Sequence, residues 1–221
     1  MEREEFLSRL YKVRFSEKEI QQKNRIWMIL CKYFLQRYIN KNDAVLDIGS
    51  GRGEFINHID CRVKYAVDLS EESARFLSAG IKYFKANAKD LSFLSDGSID
   101  AVFLSNFAEH MGSKEDLIWF FMEAKRILRS SGKLILLGPN IRYAYKEYWD
   151  FFDHHIPLSH KAIIECLRAV GFKIDTVIPK FLPFTSKGII PKSSFLVRLY
   201  LKIPFAWQVL GKQMFIVARK I

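Results

Sequence analysis

A chain of 221 residues, 49% of them hydrophobic, can bury a full core and suits one domain with additions. Its longest mostly apolar stretch, Phe195 to Leu210, is broken by Arg198, Lys202 and Pro204 and is too short to span a bilayer. The opening MEREEFLSRLYK lacks the apolar core of a signal peptide, and Cys31, Cys61 and Cys166 are odd in number with no CxxC pairing, which argues against a disulfide frame or a zinc site and fits the cytoplasm. The net charge of +11 sits on the flanks: residues 1–40 carry nine Lys/Arg against five Glu, residues 173–221 nine against one Asp, and the middle is nearly balanced. Such asymmetry points to an anionic partner, whether a phosphate-bearing substrate, nucleic acid or a membrane surface, against the plainer reading of a solvated surface.

In chain order, residues 4–39 read as helical and 1–40 as an amino-terminal extension to a main domain at 41–221. From residue 44 onward short apolar runs alternate with amphipathic segments. AVLDIG predicts a strand followed by a helix near 52–60, and KYAVDL a strand followed by a helix at 71–79. IKYFKAN and IDAVFLSN predict two more strands, and KEDLIWFFMEAKRILRSSG a long helix ended by Gly132. KLILLGPN is the next strand, SHKAIIECLRAVG a helix stopped by Gly171, FKIDTVIP a strand and GKQMFIVARK the last. Strands alternating with helices imply an α/β fold, a doubly wound parallel sheet with helices on both faces. Residues 179–211 form a basic and apolar lid-like insertion before the final strand, and connections that long are often functional.

The bare segment is Gly49-Ser50-Gly51-Arg52-Gly53, directly after a buried strand. Glycine at 49 and 51 takes positive φ and leaves no Cβ in a ligand's way, and the helix opened by the loop would offer backbone N–H groups. The dinucleotide pattern needs a glycine at 54, where this chain has Glu54, and no Walker lysine follows the loop. A nucleoside ligand without phosphates fits better. Asp68, at the end of the next strand and nineteen residues after Gly49, can accept hydrogen bonds from two ribose hydroxyls.

VLDIGSGRGEF, AVDLS, ANAKDLSFLSDGSIDAVFLSNFAEHM and EAKRILRSSGKLILLGPN, in that order over about 43–140, resemble the successive motifs of class I S-adenosylmethionine-dependent methyltransferases of the type 11 group. The resemblance implies a seven-stranded Rossmann-like sheet whose last strand, 213–219, runs antiparallel. It implies S-adenosyl-L-methionine as cofactor, S-adenosyl-L-homocysteine as product, and no metal. It assigns the methionine part to residues 47–53, with Asp47 supporting the loop and Ser50 within it. The ribose goes to Asp68, with adenine packed on Leu69 and met at its edge by Asn87 and Ala88. Ser105 and Asn106 line the floor near the sulfonium. Many relatives carry Asp where this chain has Asn87, and an amide can still donate to and accept from adenine.

Methyl transfer is an in-line displacement, so alignment is the main task, and a hydroxyl acceptor also needs a base. Candidates are His110 in AEHM and His154 and His155 in DFFDHHIPLSH, beside an aromatic run at 143–152 that could stack on a sugar or base. Against each stands the reading that His160 and one of the pair only cap or pack the helix beginning near Ser159. SNFA replaces the N-P-P-[YFW] segment of exocyclic amino methylation, and no cysteine falls near the floor for attack on a pyrimidine. From 193 to 203 a helix would spread Phe195, Leu196, Leu199, Leu201 and Ile203 around Arg198 and Lys202, needing burial on the domain, a partner or lipid. Lys180, Lys187 and Lys192 would face an anionic or lipid-linked acceptor, with peripheral contact at the inner membrane surface through 193–210. Residues 147–190 resemble bacterial type 11 enzymes of polysaccharide and glycolipid assembly, which implies O-methylation of a glycan or small acceptor. The alternatives are an RNA methyltransferase and a non-catalytic partner protein that binds the cofactor.

Overall fold

The computed structural model describes residues 13–184 and 193–221, with Phe6, Arg9 and Leu10 ahead of them. Lys187 and Lys192 lie outside the described residues. Among the described residues the strands are β1 (Ala44–Ile48), β2 (Val63–Asp68), β3 (Lys82–Lys85), β4 (Ile99–Ser105), β5 (Leu128–Pro139), β6 (Phe172–Ile178) and β7 (Gln213–Lys220). They form one seven-stranded sheet in the order β3-β2-β1-β4-β5-β7-β6. β1 to β5 pair in parallel, and β7 runs antiparallel between β5 and β6, as expected. The longer helices are α1 (Glu17–Tyr33), α2 (Lys114–Ile127), α3 (His160–Val170), α4 (Ser194–Lys202) and α5 (Pro204–Leu210), with a single helical turn at Ile141–Ala144 and short 3₁₀ helices between.

Alternation along the strands separates two cores. Leu46, Ile48, Val102, Leu104, Leu134, Leu136 and Ile216 face one layer with α2 and α3. Val45, Ala101, Phe103, Ile135, Leu137 and Phe215 face the other, covered by α1 and by Phe181, Val197, Leu201 and Trp207 of the insertion. An aromatic nest locks that second layer: the Phe34 ring lies 4.3 Å from Phe181, 5.0 Å from Phe215 and 5.9 Å from Trp207. α1 starts at a capping box, Ser16 with Glu19, and α3 ends where Gly171 takes φ 94°.

Three sequence expectations are corrected. Residues 52–60 form linked turns and 71–76 a 3₁₀ helix rather than helices. Gly51 and Gly53 hold positive φ, which an α-helical ladder cannot absorb, and Asn57 Nδ2 bonds the Phe76 carbonyl instead. The helix expected to reach Gly132 ends at Ile127, because Leu128 is fully buried in extended backbone and pairs with Ile99 at the start of β5. Sheet pairing outweighs local helix propensity there.

Candidate active site

A cavity of about 380 Å³ opens between the carboxyl ends of β1 and β4, where the strand order reverses. This is the position at which open α/β sheets hold ligands. Gly49, Gly51 and Gly53 have φ of 65°, 51° and 72°, so the turn needs glycine. At Gly49 the crowding comes from inside the protein: a Cβ there would stand 2.7 Å from the Phe107 ring. The N–H groups of Gly49 and Ser50 donate to the Val67 carbonyl at 2.9 and 3.1 Å, tying the loop to β2. The Asp68 carboxylate clamps it further, accepting from Gly51 N at 2.8 Å and Ser70 N at 2.9 Å. Each Asp68 oxygen keeps lone-pair capacity for a hydroxyl.

Asp47 is buried beneath the loop, and burial, with Glu54 and Asp68 near, pushes its carboxyl well above the ordinary value while the Ile56 N–H pulls the other way. Burial also works on Glu54, but its ion pair with Lys23 at 2.9 Å prevails and lowers it. A floor of carboxylates favours a cation over a pyrophosphate. Ser105 and Asn106 line the opposite rim, and Asn106 holds φ 47°, a left-handed backbone that asparagine tolerates. Leu69 is 40% exposed beside Asp68, and Asn87 is exposed with its Oδ1 accepting from Lys89 N at 3.0 Å. Ala88 turns its methyl into the core, so only its backbone can face a ligand. These four residues stand at the ends of β2 and β3, outside the cavity, along the same carboxyl edge of the sheet.

The two histidine-bearing loops meet. His155 N and Ile156 N both donate to the Glu109 carbonyl, at 2.8 and 3.3 Å, and His110 Nδ1 lies 2.7 Å from the Asp153 carbonyl. In the neutral ring that contact places the proton on Nδ1 and leaves Nε2 as a lone pair. His110 and His154 line the cavity with ring centroids 5.1 Å apart, while the His155 side chain is exposed and lines none of it. Burial lowers His154 to about 4, so it is neutral at physiological pH. Phe151 stacks on it at 5.1 Å, and Arg14 pairs with Asp153 at 2.5 Å. His160 has a packing role: it lies buried on α3 with Nδ1 2.9 Å from the Asn140 amide.

Several lining residues escaped the sequence reading. Glu109, only 2% exposed, has its carboxyl raised by burial, which outweighs the opposing pull of His110. Its place beside His110 in AEHM was a usable signal. Arg14, Phe184 and Gln213 come from segments far from the motifs and carried none. Buried side-chain atoms without a partner among the described residues include Ser50 Oγ, His154 Nδ1 and Gln213 Oε1, and all three residues line this cavity. Unpaired buried polar atoms are rare in proteins, and their convergence on one cavity marks where a ligand's polar groups would be satisfied.

Residues 46–136, from β1 into β5, match the family model described as Methyltransferase domain, the type 11 model. No curated protein matches the chain. Among solved structures, the chain is similar to a SAM-dependent methyltransferase from Archaeoglobus fulgidus, with 23% identity, 87% of this chain and 94% of the other covered, and a TM-score of 0.63. A second is from the complex between the Haloferax volcanii Trm112 methyltransferase activator and a methyltransferase, with 14% identity, 99% of each chain covered and a TM-score of 0.72. A third is the cyclase SpnF, with 16% identity, 89% of this chain and 80% of that chain covered, and a TM-score of 0.62. Identities this low establish the shared fold, and the cyclase shows that the fold alone does not specify the reaction.

Proposed function

We propose that this chain is an S-adenosylmethionine-dependent methyltransferase that O-methylates a hydroxyl of a glycan or related small acceptor presented on a lipid carrier. The observation that carries the reading is the single cavity wall shared by a carboxylate-floored glycine loop and a Glu109–His110–His154 cluster. The acidic floor suits the sulfonium and ammonium charges of the cofactor, Asp68 its ribose and Leu69 its adenine. When bound, S-adenosylmethionine supplies a methyl group that passes to the acceptor oxygen as the C–S bond breaks and the O–H proton departs. The protein's own task is alignment, worth roughly 7–11 kcal/mol in well-oriented reactions. Ser105 and Asn106 bound the transfer from the cofactor side. His110 Nε2 and the Glu109 carboxyl face the acceptor side as proton acceptors, and Phe151 and Phe184 exclude water.

A carrier is supported by the insertion. Val197, Tyr200 and Leu210 line the cavity, while Phe195 (68% exposed), Phe205 (76%) and Val209 (63%) on the same two helices face solvent. No helix among the described residues is long and apolar enough to cross a membrane, so an apolar face here suits contact with a bilayer surface. The test has two stages. Calorimetry with S-adenosylhomocysteine establishes the cofactor site, and release of homocysteine is then screened against free sugars, nucleotide sugars and polyprenyl-linked sugars. Turnover with sugar hydroxyls, strongest on the lipid-linked ones, is expected. Product binding without turnover on any hydroxyl acceptor would sink the acceptor assignment and leave the cofactor site standing.

A further inference from the structure

Glu109, His110 and His154 can each offer one ligand atom, and these atoms lie within 4.8 Å of one another. Their surroundings resemble those of metal ligands more than those of isolated polar side chains. The Glu109 carboxyl is buried and faces the His110 Nε2 at 3.9 Å, with the N–H of His110 Nδ1 directed at a backbone carbonyl. Metal-bound imidazoles characteristically donate their second ring N–H to a carbonyl or carboxylate, which fixes tautomer and orientation. Here both kinds of partner are present, since the Asp153 carboxylate is also 3.5 Å from Nδ1 and is itself held by Arg14. His154 Nδ1 is buried without a partner. The backbone bonds from His155 and Ile156 to the Glu109 carbonyl hold the two loops together, so the cluster is pre-assembled.

We propose that Glu109, His110 and His154 bind one divalent transition-metal ion, with Zn²⁺ the simplest occupant, on the acceptor side of the cavity. Two imidazoles and one carboxylate suit Zn²⁺, Fe²⁺ or Mn²⁺ and leave coordination positions open. Tetrahedral ligand atoms around such an ion stand about 3.4 Å apart, so atoms spread over up to 4.8 Å must draw together, by about 1.4 Å at most, to close on it. With the ion bound, Glu109 and His110 Nε2 would be its ligands instead of proton acceptors, and an acceptor oxygen on an open position facing the cavity would be held for transfer and lose its proton to water more readily. This rests on the methyl-transfer reading for its use but not for its detection.

The purified full chain is stripped with chelator and titrated with Zn²⁺ by calorimetry, and with Co²⁺ by visible absorption. One ion per chain at micromolar affinity or tighter is expected, with Co²⁺ bands of a four- or five-coordinate site. Glu109→Gln and His154→Ala should each weaken binding by about tenfold or more, whereas His58→Ala, at a surface histidine bonded to Asn24, should leave it unchanged. S-adenosylhomocysteine affinity, measured on every variant, reports the fold and the cofactor site separately. Absence of saturable binding to the stripped chain, or wild-type affinity in both Glu109→Gln and His154→Ala, overturns the assignment. Zn²⁺ binding with no effect of chelation on methyl transfer would leave the site standing and remove its catalytic use.

Discussion

At Gly49 two independent constraints coincide, a φ of 65° and a Phe107 ring 2.7 Å from where a Cβ would stand. Gly49→Ala should therefore cost about 1–3 kcal/mol in denaturant unfolding and weaken S-adenosylhomocysteine binding by roughly tenfold or more, since 1.4 kcal/mol is a factor of ten. Unchanged affinity would show that the loop does not touch the ligand. Asp47 leads to a pH prediction with a definite sign. Its folded-state carboxyl is raised, so its contribution to stability is fully present below the ordinary aspartate value and is lost as pH rises through the folded value. Asp47→Asn should raise the thermal midpoint of the free protein at neutral pH and flatten its decline with pH, while weakening affinity for the cationic cofactor. A midpoint in the variant that keeps the wild-type pH dependence would show that Asp47 is not the titrating group. Asp68, by contrast, was readable from spacing alone, because strand length and the glycine turn put it beside Gly51.

Among the secondary elements, the insertion helices serve two surfaces. Val197 and Leu201 are buried against α1 and Trp207 in the aromatic nest, while Leu196, Leu199, Ile203 and Phe205 remain exposed. The expectation that so wide an apolar surface must find cover is met on one side only. Phe34→Ala would open the nest of Phe181, Trp207 and Phe215 and should cost about 3–5 kcal/mol, measured by chemical denaturation. A loss below about 1 kcal/mol would mean that the insertion is not anchored there. Phe195→Ser with Phe205→Ser should leave the denaturation midpoint unchanged but reduce flotation with vesicles containing anionic phosphatidylglycerol. Equal flotation of variant and wild type would remove membrane contact through this face. Helix content around 52–60 was misread because the left-handed backbone expected at Gly51 continues at Gly53, which keeps the loop from opening a helix there.

Over the molecule as a whole, the +11 charge is the ground for an RNA-binding alternative. Among the described residues the cavity does not present a cationic funnel: Arg14 and Lys23, two of its lining cations, are paired with Asp153 and Glu54, and Asp47 and Glu109 share the wall. RNA binding should therefore be weak and fall steeply between about 50 and 200 mM salt, while S-adenosylhomocysteine binding stays nearly constant over the same range. Salt-resistant RNA binding at high affinity would revive the alternative. Fold class, the order of strands along the chain, the glycine turn and Asp68 all follow from local patterning, because strand alternation, turn geometry and strand-end spacing act over a few residues. The meeting of AEHM with DFFDHH, the exposure of His155, and the arrival of Arg14, Phe184 and Gln213 at the cavity do not. They depend on how loops after different strands converge at one edge of a twisted sheet, and contacts between segments as far apart as Arg14 and Asp153 leave no periodic trace in the chain.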